Sequence, residues 1–185
     1  RSTLFPYTTL FRSIIDKIAA AQYALERDVP YLGICLGLQT AVIAAARRAG
    51  LDDANSTEFD DATTHDVVYI MPGQEGKEST GGTLRLGNYP AVFTPGSLAS
   101  KVYQSDHTEE RHRHRYEVNQ QFLDEIARGG VTVSGLSPDG RLVEFVEAPN
   151  CRYFVATQAH PEFRSRPMRL DNRSEERRVG KECRS

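Results

Sequence analysis

The stretch YLGICLGLQTAVIAAARRAG, residues 31–50, decides the fold. Tyr31–Cys35 is a short apolar run suited to a strand buried on both faces. Leu36–Ala49 then places Leu38, Val42, Ala45 and Ala49 along one helical stripe, with Gly50 as the stop. Strand passes into helix without a linker. The hinge is Cys35, flanked two residues away on either side by Gly33 and Gly37. Small residues there let strand and helix pack closely and push the middle side chain outward, as in a nucleophile elbow. A thiol at a helix N-terminus meets the positive end of the helix dipole, which favours thiolate. The Leu36 N–H is left to donate to an oxyanion, a task worth about 3 kcal/mol per donor. Taken alone, the elbow is equally compatible with a buried structural cysteine.

The flanking pattern continues the rhythm. IIDKIAAAQYALER (14–27) sets Ile14, Ile18, Ala21 and Leu25 at helical spacing, so helix, strand and helix follow in succession, as in an α/β sheet. DVVYIM (66–71) reads as a strand before a Pro72–Gly73 turn, and Glu75–Gly82 as a polar loop. Leu84–Tyr89 and Ala91–Thr94 read as two short strands interrupted at Pro90. Ser97–Tyr103 suits a brief helix, HRHRYEV (112–118) an alternating strand, and Gln120–Ala127 a helix ending near Gly129–Gly130. Val131–Ser137, Leu142–Glu147 and Tyr153–Thr157 follow as strands, the first two joined by a Pro138–Asp139–Gly140 turn.

Composition narrows the class. The 185 residues carry 23 Lys and Arg against 25 Asp and Glu, with 39% hydrophobic residues, which excludes a disordered chain and one built mainly to bind nucleic acid. No apolar run is long enough to cross a membrane as a helix. Three cysteines, scattered and without a CxxC pair, suit neither a disulfide scaffold nor zinc and point to a reducing, cytoplasmic home. The two ends differ from the middle. Residues 1–13 lack a period, and RSEERRVGKECRS (173–185) is a charge run without an apolar face. Both read as non-native sequence, so the expected organisation is 1–13 foreign, 14–170 one domain clipped at both edges, and 171–185 foreign or disordered.

A thiol nucleophile needs a base and a group to orient it. QAHPE (158–162) follows the strand 153–157, and His160 and Glu162 can share one side of an extended loop. The carboxylate then holds one ring nitrogen while the other faces Cys35. Other readings of the polar motifs are weaker. Arg111–Arg115 as an RNA-contacting strip lacks an aromatic platform. His112 and His114 as a metal pair lack a third ligand. GTLRLG (82–87) has phosphate-loop glycine spacing, yet Asn88 stands where Lys is required. Cys151 reads as inert core.

In these motifs the chain resembles the class I (triad) glutamine amidotransferases, and within them the glutaminase domain of the CTP synthases. GICLGLQ (33–39) and QAHPEF (158–163) are shared across triad amidotransferases. NSTEF (55–59), GGTLRLG (81–87) and ERHRHRYEVN (110–119) are more specific. The resemblance covers about residues 14–170. It implies an α/β, flavodoxin-like fold with a mostly parallel central sheet flanked by helices. It also implies Cys35 as nucleophile, His160 as general base then acid, and Glu162 as the group that orients His160. Gln39, Glu58 and Arg115 would line the L-glutamine site, with the Leu36 amide in the oxyanion hole. Glu58 suits the substrate ammonium and Arg115 its carboxylate.

The same resemblance implies a glutamyl thioester and released ammonia, passed to an ATP-dependent amination of UTP. That step belongs to a synthetase domain in the same protein, with Mg and ATP there, no cofactor in the glutaminase domain, GTP as activator and a homotetrameric assembly. The stretch 81–87 belongs near the glutaminase entrance where GTP acts, with Arg85 a candidate contact. The family pattern also carries a glycine-rich loop upstream of the first helix, supplying a second oxyanion donor, and a closing helix after His-Pro-Glu. Neither is recognisable here, so a clipped domain of reduced competence is expected. Two readings stay beside this one: another triad amidotransferase or γ-glutamyl hydrolase relative, and an inactive fragment acting as an interaction module.

Overall fold

A computed structural model describes residues 13–70 and 85–164. All of the proposed foreign ends except Ser13, the close of the 66–71 strand, the Pro72–Gly73 turn, the 75–82 loop, Leu84 and Cys183 lie outside the described residues. The chain opens with helix α1, Ile14–Arg27, whose N-cap Ser13 accepts a hydrogen bond from the Ile15 amide. Ile18, Ala21, Ala24 and Leu25 form its buried face. Strand β1 (Tyr31–Ile34) leads through Cys35 into helix α2 (Leu36–Arg48). Gly50 follows at φ 101°, the left-handed position that ends a helix.

Strands β2 (Asn55–Ser56), β3 (Asp66–Ile70), β4 (Arg85–Phe93), helix α3 (Leu98–Tyr103), β5 (His107–His114) and β6 (Tyr116–Val118) come next. A 3-10 turn (Gln120–Phe122) opens helix α4 (Leu123–Arg128). Strands β7 (Thr132–Leu136), β8 (Val143–Glu147), β9 (Phe154–Thr157) and a second 3-10 turn, Pro161–Arg164, complete the described elements. One sheet has the order β1-β9-β8-β7-β4-β5, and a second β2-β3-β6.

The α/β class stands, with α2 as the central helix, but the pairing differs from the expected mostly parallel sheet. Among the described residues only β1–β9 and β2–β3 are parallel, and the other five pairings are antiparallel. The reason is connection length. β7, β8 and β9 are joined by short turns, which can link only antiparallel neighbours.

Three local expectations also change. Among the described residues β1 is a border strand rather than one buried on both faces, and Leu32 is 44% exposed. Helix α2 is buried continuously from Leu38 to Ala46 instead of along one stripe, because it is covered by α1, α4 and both sheets. β4 runs unbroken through Pro90, which is opposite Glu109 of β5, while β7 joins the other edge of β4 only at Val92 and Phe93. Pro90 therefore removes a donor where no second strand among the described residues needs it.

The main core gathers around α2, with Leu38, Val42, Ile43, Val67, Val146 and Phe154 all buried. A smaller one joins Ala91, Phe93, Ala99 and Phe145. Gly129 shows how tightly α4 meets α2: a Cβ there would lie 1.9 Å from the Ala45 carbonyl oxygen.

Candidate active site

The site starts from the register of two neighbouring strands. Ile34, the last residue of β1, is opposite Thr157, the last of β9. The Cys35 amide donates to the Thr157 carbonyl at 2.8 Å. Both chains then turn away at the same end of the sheet, one into α2 and the other into Gln158–Arg164. Cys35 takes φ 52° and ψ −103°, a conformation a non-glycine residue rarely holds without a functional constraint. Gly33 makes that turn possible. A Cβ at Gly33 would lie 2.7 Å from Ala156 Cβ and 2.8 Å from the Gly37 carbonyl carbon. At Gly37 the nearest atom would be the Tyr31 hydroxyl at 3.7 Å, so only the first glycine of the pair is required by close approach.

Cys35 is half-buried. The Gln158 side-chain amide lies 3.8 Å from its sulfur, in donor geometry. Burial pushes the thiol pKa up, and the carboxylates of Glu162 and Glu58 add to this. The Leu36 amide and Gln158 pull the other way. The helix terminus does favour the thiolate, through the Leu36 amide, but burial opposes it and the net shift is upward.

His160 and Glu162 are joined by a 2.7 Å hydrogen bond between Nδ1 and Oε1. The loop is not extended as expected. Pro161 begins a 3-10 turn, for which its fixed φ is suited, and the turn swings the carboxylate back to the ring. The imidazole stacks on Phe163 at 5.0 Å, and the His160 amide donates to the Arg111 carbonyl at 2.7 Å. Phe163, Leu86, Arg111 and Arg113 line a shallow pocket of about 330 Å³ on this side.

A larger pocket, about 480 Å³, lies over the elbow. Cys35, Leu36, Gln39, Glu58 and Arg115 line it together with Phe59, Arg113, His114 and Tyr116. Five of the seven sequence-predicted site residues thus share one concavity, while His160 and Glu162 are not among its lining. Gln39, buried one turn into α2, donates to the Tyr116 carbonyl at 3.2 Å and to the Gln158 side-chain oxygen at 3.4 Å. Glu58 follows β2, its backbone amide donating to the Ser56 hydroxyl at 3.2 Å. Partial burial raises the Glu58 pKa, and the Arg115 charge opposes the rise.

Sequence reasoning gave no role to Gln158, Phe163, Tyr116 or His114. Phe163 follows His-Pro-Glu directly and Gln158 precedes it by one residue, which was the available signal. The alternation of β5 was a second one: Thr108, Glu110, His112 and His114 face inward, and Glu109, Arg111 and Arg113 outward. Both histidines are thus internal, and no continuous basic strip exists. Arg85, the candidate GTP contact, is only 7% exposed, with its guanidinium against Glu117 at 3.3 Å and Glu144 at 2.5 Å. It is an internal ion-pair member, unavailable to a ligand at the surface. Among the described residues, no group of three or more His, Cys, Asp and Glu is arranged to hold a metal ion, and no helix is long and apolar enough to cross a membrane.

A strained cysteine elbow at the end of β1 and a His–Glu pair following the neighbouring strand β9, on an α/β scaffold, are the parts expected of a thiol-dependent enzyme. The family model "Glutamine amidotransferase class-I" matches residues 9–174, and the chain belongs to that family. The CTP synthase of Rhodococcus jostii (strain RHA1) is 56% identical over 164 residues, covering 85% of this chain and 28% of that protein. That of Methanococcus maripaludis is 54% identical over 156 residues, covering 84% and 29%. The chain therefore spans less than a third of the curated relatives it matches. Among solved structures, the glutaminase domain of Trypanosoma brucei CTPS with bound acivicin superposes with a TM-score of 0.81 at 40% identity, covering 88% of this chain and 63% of that one.

Proposed function

We propose that this chain is the glutaminase domain of a CTP synthase, hydrolysing L-glutamine through Cys35. The observation that supports the reading is the parallel register that ends β1 and β9 at the same level, so that Cys35 follows one strand and the segment bearing His160 and Glu162 follows its neighbour. In the neutral thiol favoured before substrate binds, the proton must go to a base as the sulfur attacks. His160, oriented through Nδ1 by Glu162, accepts it. The sulfur adds to the side-chain amide carbon of glutamine, and the Leu36 amide receives the developing oxyanion. Collapse breaks the C–N bond, and His160 returns the proton to the departing ammonia. Water, deprotonated by His160, then cleaves the thioester and releases glutamate and the thiol. Glu58 faces the substrate ammonium, Arg115 its carboxylate, and Gln39 the pocket floor.

The domain needs no cofactor for these steps. The ammonia serves an ATP- and Mg-dependent amination of UTP on a synthetase domain of the same protein, with GTP as activator, in a homotetramer of the cytoplasm. Residues 1–13 and 171–185 are foreign to the domain spanning 14–170. The test is glutamate release from glutamine by the wild-type chain and Cys35→Ala, with acivicin labelling mapped by mass spectrometry. The expected result is release abolished in the variant and label on Cys35 but not Cys151. Equal release by both proteins overturns the reading.

A further inference from the structure

The chain passes from the six-stranded sheet to the three-stranded one within a single residue, and that residue is Arg115. β5 ends at His114 and β6 begins at Tyr116. A hydrogen bond spans the break: His114 Nε2 and Glu117 Oε1 are 2.7 Å apart. The same carboxylate oxygen accepts from Arg85 Nη1 at 3.3 Å, and Arg85 Nη2 reaches Glu144 at 2.5 Å. The Arg85 guanidinium also covers the Tyr89 ring, 4.4 Å from its centroid. One buried bridge therefore ties β4, β5, β6 and β8 together directly behind the residue that turns toward the pocket.

Such a bridge is costly. Glu117 and Glu144 are 2% and 0% exposed, and Glu117 Oε2, Glu144 Oε2 and His114 Nδ1 make no hydrogen bond among the described residues. Buried ion pairs seldom add net stability over apolar packing, and their best-attested use is to fix one arrangement among several. The arrangement fixed here is the angle of the strand break.

We propose that Glu117 is a positioning residue for Arg115: by holding His114 across the break and pairing with Arg85, it sets the direction from which Arg115 meets the substrate α-carboxylate. This rests on the reading of Arg115 as the carboxylate-binding group. Removing the Glu117 charge leaves the thiol and its oxyanion donor in place but lets the break relax, so recognition of an amino-acid headgroup is lost selectively.

The test uses the whole chain and two thiol reagents: acivicin, which carries an α-amino-acid headgroup, and iodoacetamide, which does not. Glu117→Gln should slow sub-saturating acivicin labelling of Cys35 by about tenfold while the iodoacetamide rate stays within about twofold. Arg85→Lys, which keeps the charge and loses the planar fork, should shift the ratio in the same direction by less. Equal slowing with both reagents, or no slowing, overturns the proposal. Failure of both variants to fold, read by circular dichroism, also overturns it, because the bridge would then be purely structural. Arg115→Ala separates the two levels. If it leaves acivicin labelling unchanged, the carboxylate role of Arg115 falls; if it slows labelling and Glu117→Gln does not, only the positioning role falls.

Discussion

Replacing Gly33 by alanine tests the geometry of the elbow without touching a reacting group. The new methyl would sit 2.7 Å from Ala156 Cβ, 2.8 Å from the Gly37 carbonyl carbon and 2.9 Å from its oxygen. Carbon atoms in good contact are about 3.5–4.0 Å apart, so each carbon contact is roughly 1 Å too close. Two of the three atoms are backbone at the start of α2, whose carbonyl already accepts the Tyr31 hydroxyl at 2.7 Å, so no side chain can swing aside. The cost falls at the upper end of overpacking, about 3 kcal/mol. For a chain of this length that lowers the melting temperature by roughly 6–12 °C.

Gly37→Ala is the internal control. Its methyl meets nothing closer than 3.7 Å, and alanine replaces glycine within a helix, worth up to about 1 kcal/mol of stabilisation. Thermal and urea unfolding followed by circular dichroism should show a large loss for Gly33→Ala and no loss for Gly37→Ala. If Gly33→Ala unfolds within about 1 kcal/mol of wild type, β1 does not press on α2 as described, and the steric account of the elbow is wrong.

Two pH dependences follow from buried groups. Because burial raises the Cys35 pKa, its alkylation by iodoacetamide should keep rising beyond the ordinary thiol midpoint of about 8.5, and a plateau at lower pH would refute the desolvated thiol. Glu144 is pushed up to about 7 by burial, against the opposing pull of Arg85, with Glu117 and Asp139 reinforcing the rise and the His112 ring 3.6 Å away. A carboxyl raised on folding contributes stability that is complete below its unfolded value of about 4.3 and is lost as pH rises through the folded one. Wild type should therefore lose stability relative to Glu144→Gln between about pH 4 and pH 8, and parallel urea curves would refute this.

The sequence made the elements around Cys35 legible because local rules acted there without competition. α1 spans the residues its periodicity marks, and Gly50 stops α2 where a left-handed residue is needed. The residues of the site could be named from motifs, but not what supports them. Burial of α2 on all sides is a property of its neighbours: the stripe of Leu38, Val42, Ala45 and Ala49 marks one face, while Ala41, Ala44 and Ala46 become buried as two sheets and two helices close on them. The Arg115 break leaves no mark in HRHRYEV, whose alternation runs evenly through it; only the pairing partners of β5 and β6 divide it between sheets. Pro90 misled for the related reason that proline ends a strand only where a partner claims its missing donor. The Arg85 bridge unites residues 85, 117 and 144, and such separations carry no local signal.

The imidazole and the sulfur are mounted on different supports. Cys35 terminates β1 and opens α2, whereas the turn bearing His160 hangs from β5, through the His160 amide on Arg111 and the Arg164 guanidinium on the Glu109 carbonyl. A tilt of the β4–β5 hairpin would drag the proton acceptor and leave the attacking atom behind. Because Arg113 and His114 of β5 and the adjacent Arg115 line the pocket over the elbow, the same tilt would shift the docking residues together with the base, while the sulfur kept its place.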